Sequence, residues 1–161
     1  MSKIKTEKAT FGAGCFWGVE AKFRAMKGVV GTKVGYMGGK MDKPTYEDVC
    51  TDETGHAEVV YIEFDPKKIS YEDLLKAFWN LHDPTQKDRQ GPDVGSQYRS
   101  VVFYYNDAQK KSAEKLKAEL EKFMNLKGKI ATQIVGAGKF HMAEEYHQRY
   151  LEKRGMATCH I

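Results

Sequence analysis

The chain has 161 residues, 41% of them hydrophobic and 30% charged, the size and balance of one ordinary domain with a core of its own. No stretch approaches the roughly 18 apolar residues that cross a bilayer, so no membrane partner is expected. The net charge of +4, from 26 basic and 22 acidic residues, sits in mixed-sign runs such as KKSAEKLKAELEK, unlike the one-signed stripe of a nucleic-acid binder.

Residues 5–11 read as a strand ending at Gly12. Residues 16–27 read as a helix, with Phe16, Val19, Phe23 and Met26 at spacings of three and four. Residues 29–36 form a second, valine-rich strand. Residues 37–54, including GGKMDKPTYEDVC, form a long loop. HAEVVYIEF at 56–64 is a strand apolar on both faces around Val59 to Ile62, which suits a central position in a sheet. Asp65-Pro66 ends it. Ser70 opens a helix through about His82, with Asp73 at capping-box spacing and Leu74, Phe78 and Leu81 as its apolar stripe. DPTQKDRQGPDVGSQ at 83–97 is a second long polar loop. YRSVVFYY at 98–105 is a strand. Asn106 or Asp107 caps a helix to about Met124, with Ala113, Leu116, Leu120 and Phe123 inward and Gly128 beyond its end. Residues 129–135 read as a strand and 143–153 as a last helix.

The order β-α-β-β-α-β-α-β-α predicts an α+β fold, a two-layer α/β sandwich around a mixed β-sheet with a ferredoxin-like core. One catalytic domain over 1–161 is expected, with a mobile C-terminal tail at about 154–161. Two loops longer than about a dozen residues in so small a domain point to function. No apolar segment follows MSKIKTEKAT, so a cytoplasmic location is expected.

Cys15, Cys50 and Cys159 are the three cysteines. An odd, small number argues against a disulfide scaffold and leaves reactive thiols, metal ligands or buried apolar cysteines. Cys15 lies in GAGCFWG, where a strand ends, glycines allow a tight turn and a helix begins. The partial positive charge at a helix start favours a thiolate. Gly12, Gly14 and Gly18 leave room around the sulfur, and Phe16 and Trp17 supply an aromatic surface beside it. The bland alternative is a cysteine packed like a small hydrophobe. GAGCFWG matches neither G-x-G-x-x-G nor a P-loop.

Glu58 stands inside the apolar HAEVV strand. Buried without a cation, its carboxyl would stay protonated near neutrality and could act as a general acid; otherwise it is a strand-end residue facing water. Tyr46 and Tyr98, at loop–strand junctions, can present hydroxyls as neutral donors or simply pack. Asp93, between Pro92 and Gly95, reads as a polar site group or a turn residue. His56, His82, His141, His147 and His160 do not fall at metal-ligand spacing, and CxxC and HExxH are absent, so neither a metal nor a cofactor is expected. His56 and His82 would be the partners in a cysteine–histidine hydrolase. Cys159, near the chain end, could swing to an oxidised sulfur as a resolving thiol. Cys50 reads as a packed core or loop thiol. These residues alone point to thiol chemistry without fixing its type, with hydroperoxide reduction and non-catalytic peptide binding as alternatives to any particular repair reaction.

GCFWG at 14–18, GYMGG at 35–39, PTYEDVC at 44–50, TGHAEVV at 54–60, FDPKKISYEDLL at 64–75, FWNLHDPTQ at 78–86, RQGPDVGSQYRS at 89–100 and YHQRYLEK at 146–153 together resemble the peptide methionine sulfoxide reductase A family, in order and over nearly the whole chain. The resemblance implies reduction of methionine S-sulfoxide, free or in peptides and proteins. It implies Cys15 as the nucleophile on sulfur, Glu58 as the acid for the sulfoxide oxygen, and Tyr46 and Tyr98 as hydrogen-bond donors to that oxygen. It further implies Asp93 as a substrate-binding carboxylate and Phe16 and Trp17 as the cage for the methyl group. Either Cys159 or an external thiol would resolve the resulting sulfenic acid, with thioredoxin, glutaredoxin or a small thiol as reductant. A monomer is expected.

Overall fold

The structure, a computed structural model, describes residues 5–123 and 130–153. The tail expected at 154–161, and Cys159 with it, lies outside the described residues.

A βαββαβ unit makes the core: β1 (Glu7–Ala13), α1 (Phe16–Arg24), β2 (Val29–Met37), β3 (Ala57–Phe64), α3 (Tyr71–Asn80) and β6 (Ser100–Tyr104). The connection from β2 to β3 contains a short helix, α2 (Tyr46–Cys50). The connection from α3 to β6 contains a small ribbon, β4 (Arg89–Gln90) with β5 (Asp93–Val94), and a 3₁₀ turn at Ser96–Tyr98. After β6 come α4 (Asp107–Phe123), β7 (Gln133–Gly136), β8 (His141–Met142), a 3₁₀ turn at Glu145–His147 and α5 (Tyr150–Lys153). Six strands form one sheet in the order β7-β6-β1-β3-β2-β8. All neighbours run antiparallel except β6 and β7, which are parallel, so the sheet is mixed as expected. β3 is flanked by β1 and β2, which is why its sequence is apolar on both faces.

Side-chain parity sorts the core. Ala9, Phe11 and Ala13 of β1, Val34 and Tyr36 of β2, and Val60, Ile62 and Phe64 of β3 face the helices. There they pack with Phe16, Val19 and Phe23 of α1, Leu74, Leu75 and Phe78 of α3, and Ala113 of α4. Met37, Ala57, Val59, Val101 and Phe103 form a smaller cluster, with Ala137 and Phe140 packed against it. The phases of α1 and α3 match their apolar spacing. In α4 Ala113 is buried and Leu116 and Leu120 pack against the core, but Phe123, expected inward, is the helix's last residue and is 89% exposed. α3 is opened by the expected capping box, in which Asp73 N donates to Ser70 Oγ at 3.0 Å and Ser70 N to Asp73 Oδ2 at 3.2 Å.

Four departures from the sequence reading stand out. The loop at 37–54 contains α2, which carries its own capping box between Thr45 and Asp48. The loop at 83–97 contains the β4–β5 ribbon, and β6 begins two residues later than the expected 98 because Ser96–Tyr98 is a 3₁₀ turn. β8, a two-residue strand on β2, carries no period long enough to read. The single helix expected at 143–153 is two short pieces separated at Arg149, whose φ of 52° cannot continue a right-handed helix.

Register explains why the site gathers at one edge. Ala13, at the end of β1, pairs with Ser100 at the start of β6. Met37, at the end of β2, pairs with Ala57 at the start of β3. Cys15, α2, Glu58 and the Ser96–Tyr98 turn therefore all emerge on the same side of the sheet.

Candidate active site

Cys15 is the N-cap of α1, with φ −58° and ψ 120°, and its side chain makes no capping bond. It is half-buried. The positive end of the helix dipole at this position favours negative charge. The turn that delivers it needs glycine: Gly14 has φ 96°, and a Cβ there would stand 2.9 Å from both Cβ and Cγ of Gln90.

Glu58 is the second residue of β3, and parity turns it toward the helix face rather than water. It is 1% exposed. Its Oε1 accepts the Phe16 N–H at 3.3 Å, from the first turn of the helix that Cys15 caps. Its Oε2 is buried with no hydrogen-bond partner among the described residues. Burial pushes the carboxyl up to about 8, the Phe16 N–H opposes the rise, and the negative charge of Asp93 adds to it. Glu58 is thus protonated near neutrality, and its unpaired oxygen can carry the proton.

Tyr98 closes the 3₁₀ turn. Its hydroxyl is held well above the usual tyrosine range, by burial first and then by the charges of Glu58, Asp93, Cys50 and Cys15. Tyr46 opens α2 and is raised in the same way, by burial and by Glu58, Tyr98 and Cys50. Both hydroxyls remain neutral donors at any physiological pH. The Tyr46 hydroxyl is also within hydrogen-bonding reach of the Cys50 thiol. Cys50 is not packed in the core; it is the exposed last residue of α2. Asp93, in β5, is half-buried, and burial raises its carboxyl.

Phe16 is 1% exposed and faces Tyr36 at 5.8 Å and the His147 ring at 5.1 Å between centroids. Trp17 stacks on Tyr150 at 3.8 Å with an interplanar angle of 12°, and its Nε1–H donates to His147 Nδ1 at 2.9 Å. Cys15, Phe16, Trp17, Tyr46, Glu58, Asp93 and Tyr98, singled out from sequence, therefore lie together. Neither His56 nor His82 serves Cys15 as a base. His56 is buried, with Nδ1 accepting from Gly39 N at 3.0 Å and Nε2 bonded to Met41 O at 2.7 Å. His82 is engaged by Phe78 O at 2.6 Å and Ser100 Oγ at 2.7 Å, and burial lowers it to about 4. Among the described residues no group of three or more His, Cys, Asp or Glu side chains could hold a metal ion.

A thiol at a helix start, a buried protonated carboxyl and two phenols brought together in this way can attack a polarised centre while protonating the atom that leaves it. Residues 7–161 match the family model described as peptide methionine sulfoxide reductase. The chain belongs to this family. The peptide methionine sulfoxide reductase MsrA of Methanothermobacter thermautotrophicus is 58% identical over 161 residues, covering 100% of this chain and 95% of that protein. The crystal structure of Mxr1 from Saccharomyces cerevisiae in reduced form matches with a TM-score of 0.88 and 39% identity, covering 96% of this chain and 88% of that one. The structure of Mxr1 in complex with Trx2 matches with a TM-score of 0.64 and 30% identity, covering 92% of this chain and 87% of that one.

Three side chains of this methionine sulfoxide reductase site were not singled out from sequence. Glu144 accepts the Tyr36 hydroxyl through Oε1 and the Tyr46 N–H through Oε2, both at 3.0 Å. Burial pushes its carboxyl up, but these bonds outweigh it and the group lies below the usual range. Tyr36, opposite Glu58 in the β2–β3 register, is fully buried. His147 is also fully buried; Trp17 occupies Nδ1, so the neutral ring carries its proton on Nε2, which has no partner among the described residues. Glu144 and His147 lie in EEYHQ, where a helical reading treats polar residues as an exposed face and hides their role. Tyr36 carries no local signal beyond its strand parity.

Proposed function

We propose that this chain reduces methionine S-sulfoxide to methionine through a sulfenic acid on Cys15, with Glu58 as the proton donor. Reduction of methionine sulfoxide is the activity of the family to which the chain belongs, and the observation that carries the residue assignment is the buried, unpaired Oε2 of Glu58 beside the helix that Cys15 caps.

The Cys15 thiolate attacks the sulfoxide sulfur while the Glu58 carboxyl passes its proton to the sulfoxide oxygen. Tyr46 and Tyr98 donate hydrogen bonds to that oxygen, and Phe16 and Trp17 enclose the methyl group. Attack gives a transient sulfurane-type centre. Its collapse breaks the new bond between the two sulfurs and the substrate S–O bond, the hydroxyl ends on Cys15 as S–OH, and methionine leaves; sulfur of the substrate is reduced by two electrons and that of Cys15 oxidised by two. A second thiol then displaces water from the sulfenic acid to give a disulfide, which an external dithiol reduces. Asp93 supplies polar contact to the substrate. Cys159 is the proposed resolving thiol, with direct attack by an external thiol as the other route.

A thioredoxin is the proposed reductant, supported by the relative Mxr1 having been seen in complex with Trx2; a glutaredoxin or small thiol would serve the route without Cys159. No helix among the described residues is long and apolar enough to cross a membrane. We place the protein in the cytoplasm as a single-domain monomer acting on free and peptide-bound substrate.

The test is a single turnover with methionine S-sulfoxide and no reductant, read by mass spectrometry. A stoichiometric burst of methionine is expected, with Cys15 carrying one added oxygen or joined to Cys159. The Cys15→Ser protein should release none; methionine release by that folded variant would remove the reading. Cys159→Ser should still give the burst but turn over poorly with thioredoxin.

A further inference from the structure

Tyr46 and Tyr98 sit on different loops, and no strand pairing joins those loops near the two hydroxyls. Side-chain hydrogen bonds join them, and Asp52 supplies those that link the end of α2 to the start of the 3₁₀ turn. Asp52 lies just past the C-terminus of α2, beyond the C-cap Thr51, and its N–H donates to Val49 O at 3.1 Å. Its φ is 65°, the left-handed conformation in which helices often end and which normally selects glycine. A glycine would adopt that turn without strain but would bring no side chain. The Asp52 side chain crosses to the other loop: Oδ1 accepts the Ser96 N–H at 3.0 Å and also the Ser96 hydroxyl. Ser96 is the first residue of the 3₁₀ turn that ends with Tyr98, so its N–H is one of the donors that such a turn cannot satisfy internally.

One residue therefore ends the helix that Tyr46 opens and caps the turn that Tyr98 closes. Arg99 braces the same junction, with Nη1 donating to Ser96 O at 2.9 Å and Nη2 to Gly55 O at 3.0 Å.

We propose that Asp52 is a positioning residue for the reductase reaction, clamping the two tyrosine-bearing loops so that the Tyr46 and Tyr98 hydroxyls converge on one oxygen. The inference rests on the role given to those tyrosines above. Asp52 itself is exposed and does not act on substrate. Its contribution is geometric, and small displacements of donor groups are expensive in catalysis.

The test compares Asp52→Gly, Asp52→Asn and Ser96→Ala with the parent in single turnover on methionine S-sulfoxide, alongside thermal melts. Asp52→Gly relieves the left-handed backbone and deletes only the clamp. Its rate of methionine release at saturation should fall roughly tenfold while KM and the melting temperature stay near the parent values. Asp52→Asn, whose amide oxygen can still accept both donors and which tolerates the same backbone, should restore most of the rate. Ser96→Ala, which keeps the N–H contact and loses the hydroxyl, should fall less than Asp52→Gly; should Asp52→Gly not fold, the sign of the Ser96→Ala effect decides. An active parent matched in rate by Asp52→Gly or, in that case, by Ser96→Ala overturns the clamp alone. A parent that releases no methionine overturns the functional reading and the clamp with it.

Discussion

The main-chain N–H of Phe16 donates to Glu58 Oε1 at 3.3 Å, so the helix turn that carries Cys15 also holds one oxygen of the buried acid. The bond orients the carboxyl and leaves Oε2 as the oxygen that can bear the proton. It also limits how far burial can raise the group, since an N–H donor favours the charged form.

From this relationship, Glu58→Gln should slow sulfenic acid formation by roughly 100- to 10,000-fold, the range for loss of a general acid. In the parent the acid is the protonated form, so the contribution of Glu58 should be full at low pH and fade as pH rises through about 8. The Gln variant should lack that limb. The stability effect has the same sign. The folded group binds its proton more tightly than the unfolded one, so the parent loses stability relative to Glu58→Gln as pH climbs from 4.5 to about 8. Rapid-quench rates and melts across this range check both, and a Gln variant with the parent's rate at every pH excludes Glu58 as the acid.

Glu144 ties the Tyr36 hydroxyl and the Tyr46 N–H to one carboxylate, each at 3.0 Å. Glu144→Ala leaves the fully buried Tyr36 without its acceptor, a loss of about 1–3 kcal/mol. It also releases the start of α2, so the turnover rate should fall roughly tenfold. Glu144→Gln keeps an acceptor oxygen and should lie between the two. Denaturant titration and single-turnover rates separate the effects; parent-like values of both in the Ala variant would show that the bridge does nothing.

Trp17 is held by Tyr150 on one side and by its bond to His147 on the other. If its ring encloses the substrate methyl, Trp17→Ala should act mainly on binding, raising KM for methionine S-sulfoxide about 10- to 200-fold, the discrimination an apolar pocket gives for one carbon. Trp17→Phe restores an aromatic face but not the N–H to His147 Nδ1, and should recover only part of the loss. A steady-state comparison of the three proteins tests this; an unchanged KM in Trp17→Ala places the methyl group elsewhere.

The elements legible in the sequence were those with enough residues to show a period. α1, α3, α4 and β3 each bury a stripe or both faces, and burial writes itself into residue spacing. The Ser70–Asp73 capping box was legible for the same local reason. The Thr45–Asp48 box of α2 was equally present in the letters, but the helix it starts has only five residues and no apolar stripe to confirm it. β8 depends on tertiary pairing alone, and the break at Arg149 lies within a run of good helix formers. Within the site, Cys15 and Glu58 were legible because each breaks a local rule: a thiol among glycines at a helix start, and a carboxyl inside an apolar strand. Glu144 and His147 break none. Their significance comes from contacts with Tyr36, Tyr46 and Trp17, which lie about 100 or more residues away in the chain.

Gly14 offers a test of the turn itself, independent of any chemical role. Its φ of 96° is costly for a residue with a side chain, and the Cβ of an alanine would meet Gln90 Cβ and Cγ at 2.9 Å. Gln90 cannot easily yield, because its amide is fixed on both sides of Asp83: Oε1 accepts Asp83 N and Nε2 donates to Asp83 O, each at 2.9 Å. Strain and displacement act together, so Gly14→Ala should destabilise the fold by about 1–3 kcal/mol. Because Cys15 is the next residue, the shift also moves the sulfur against Glu58, and the single-turnover rate should fall more than the stability loss alone explains. Measuring the rate well below the melting transition, where the variant is fully folded, isolates that second effect. A Gly14→Ala protein that melts and reacts like the parent would mean that the strand-to-helix turn does not fix the position of Cys15.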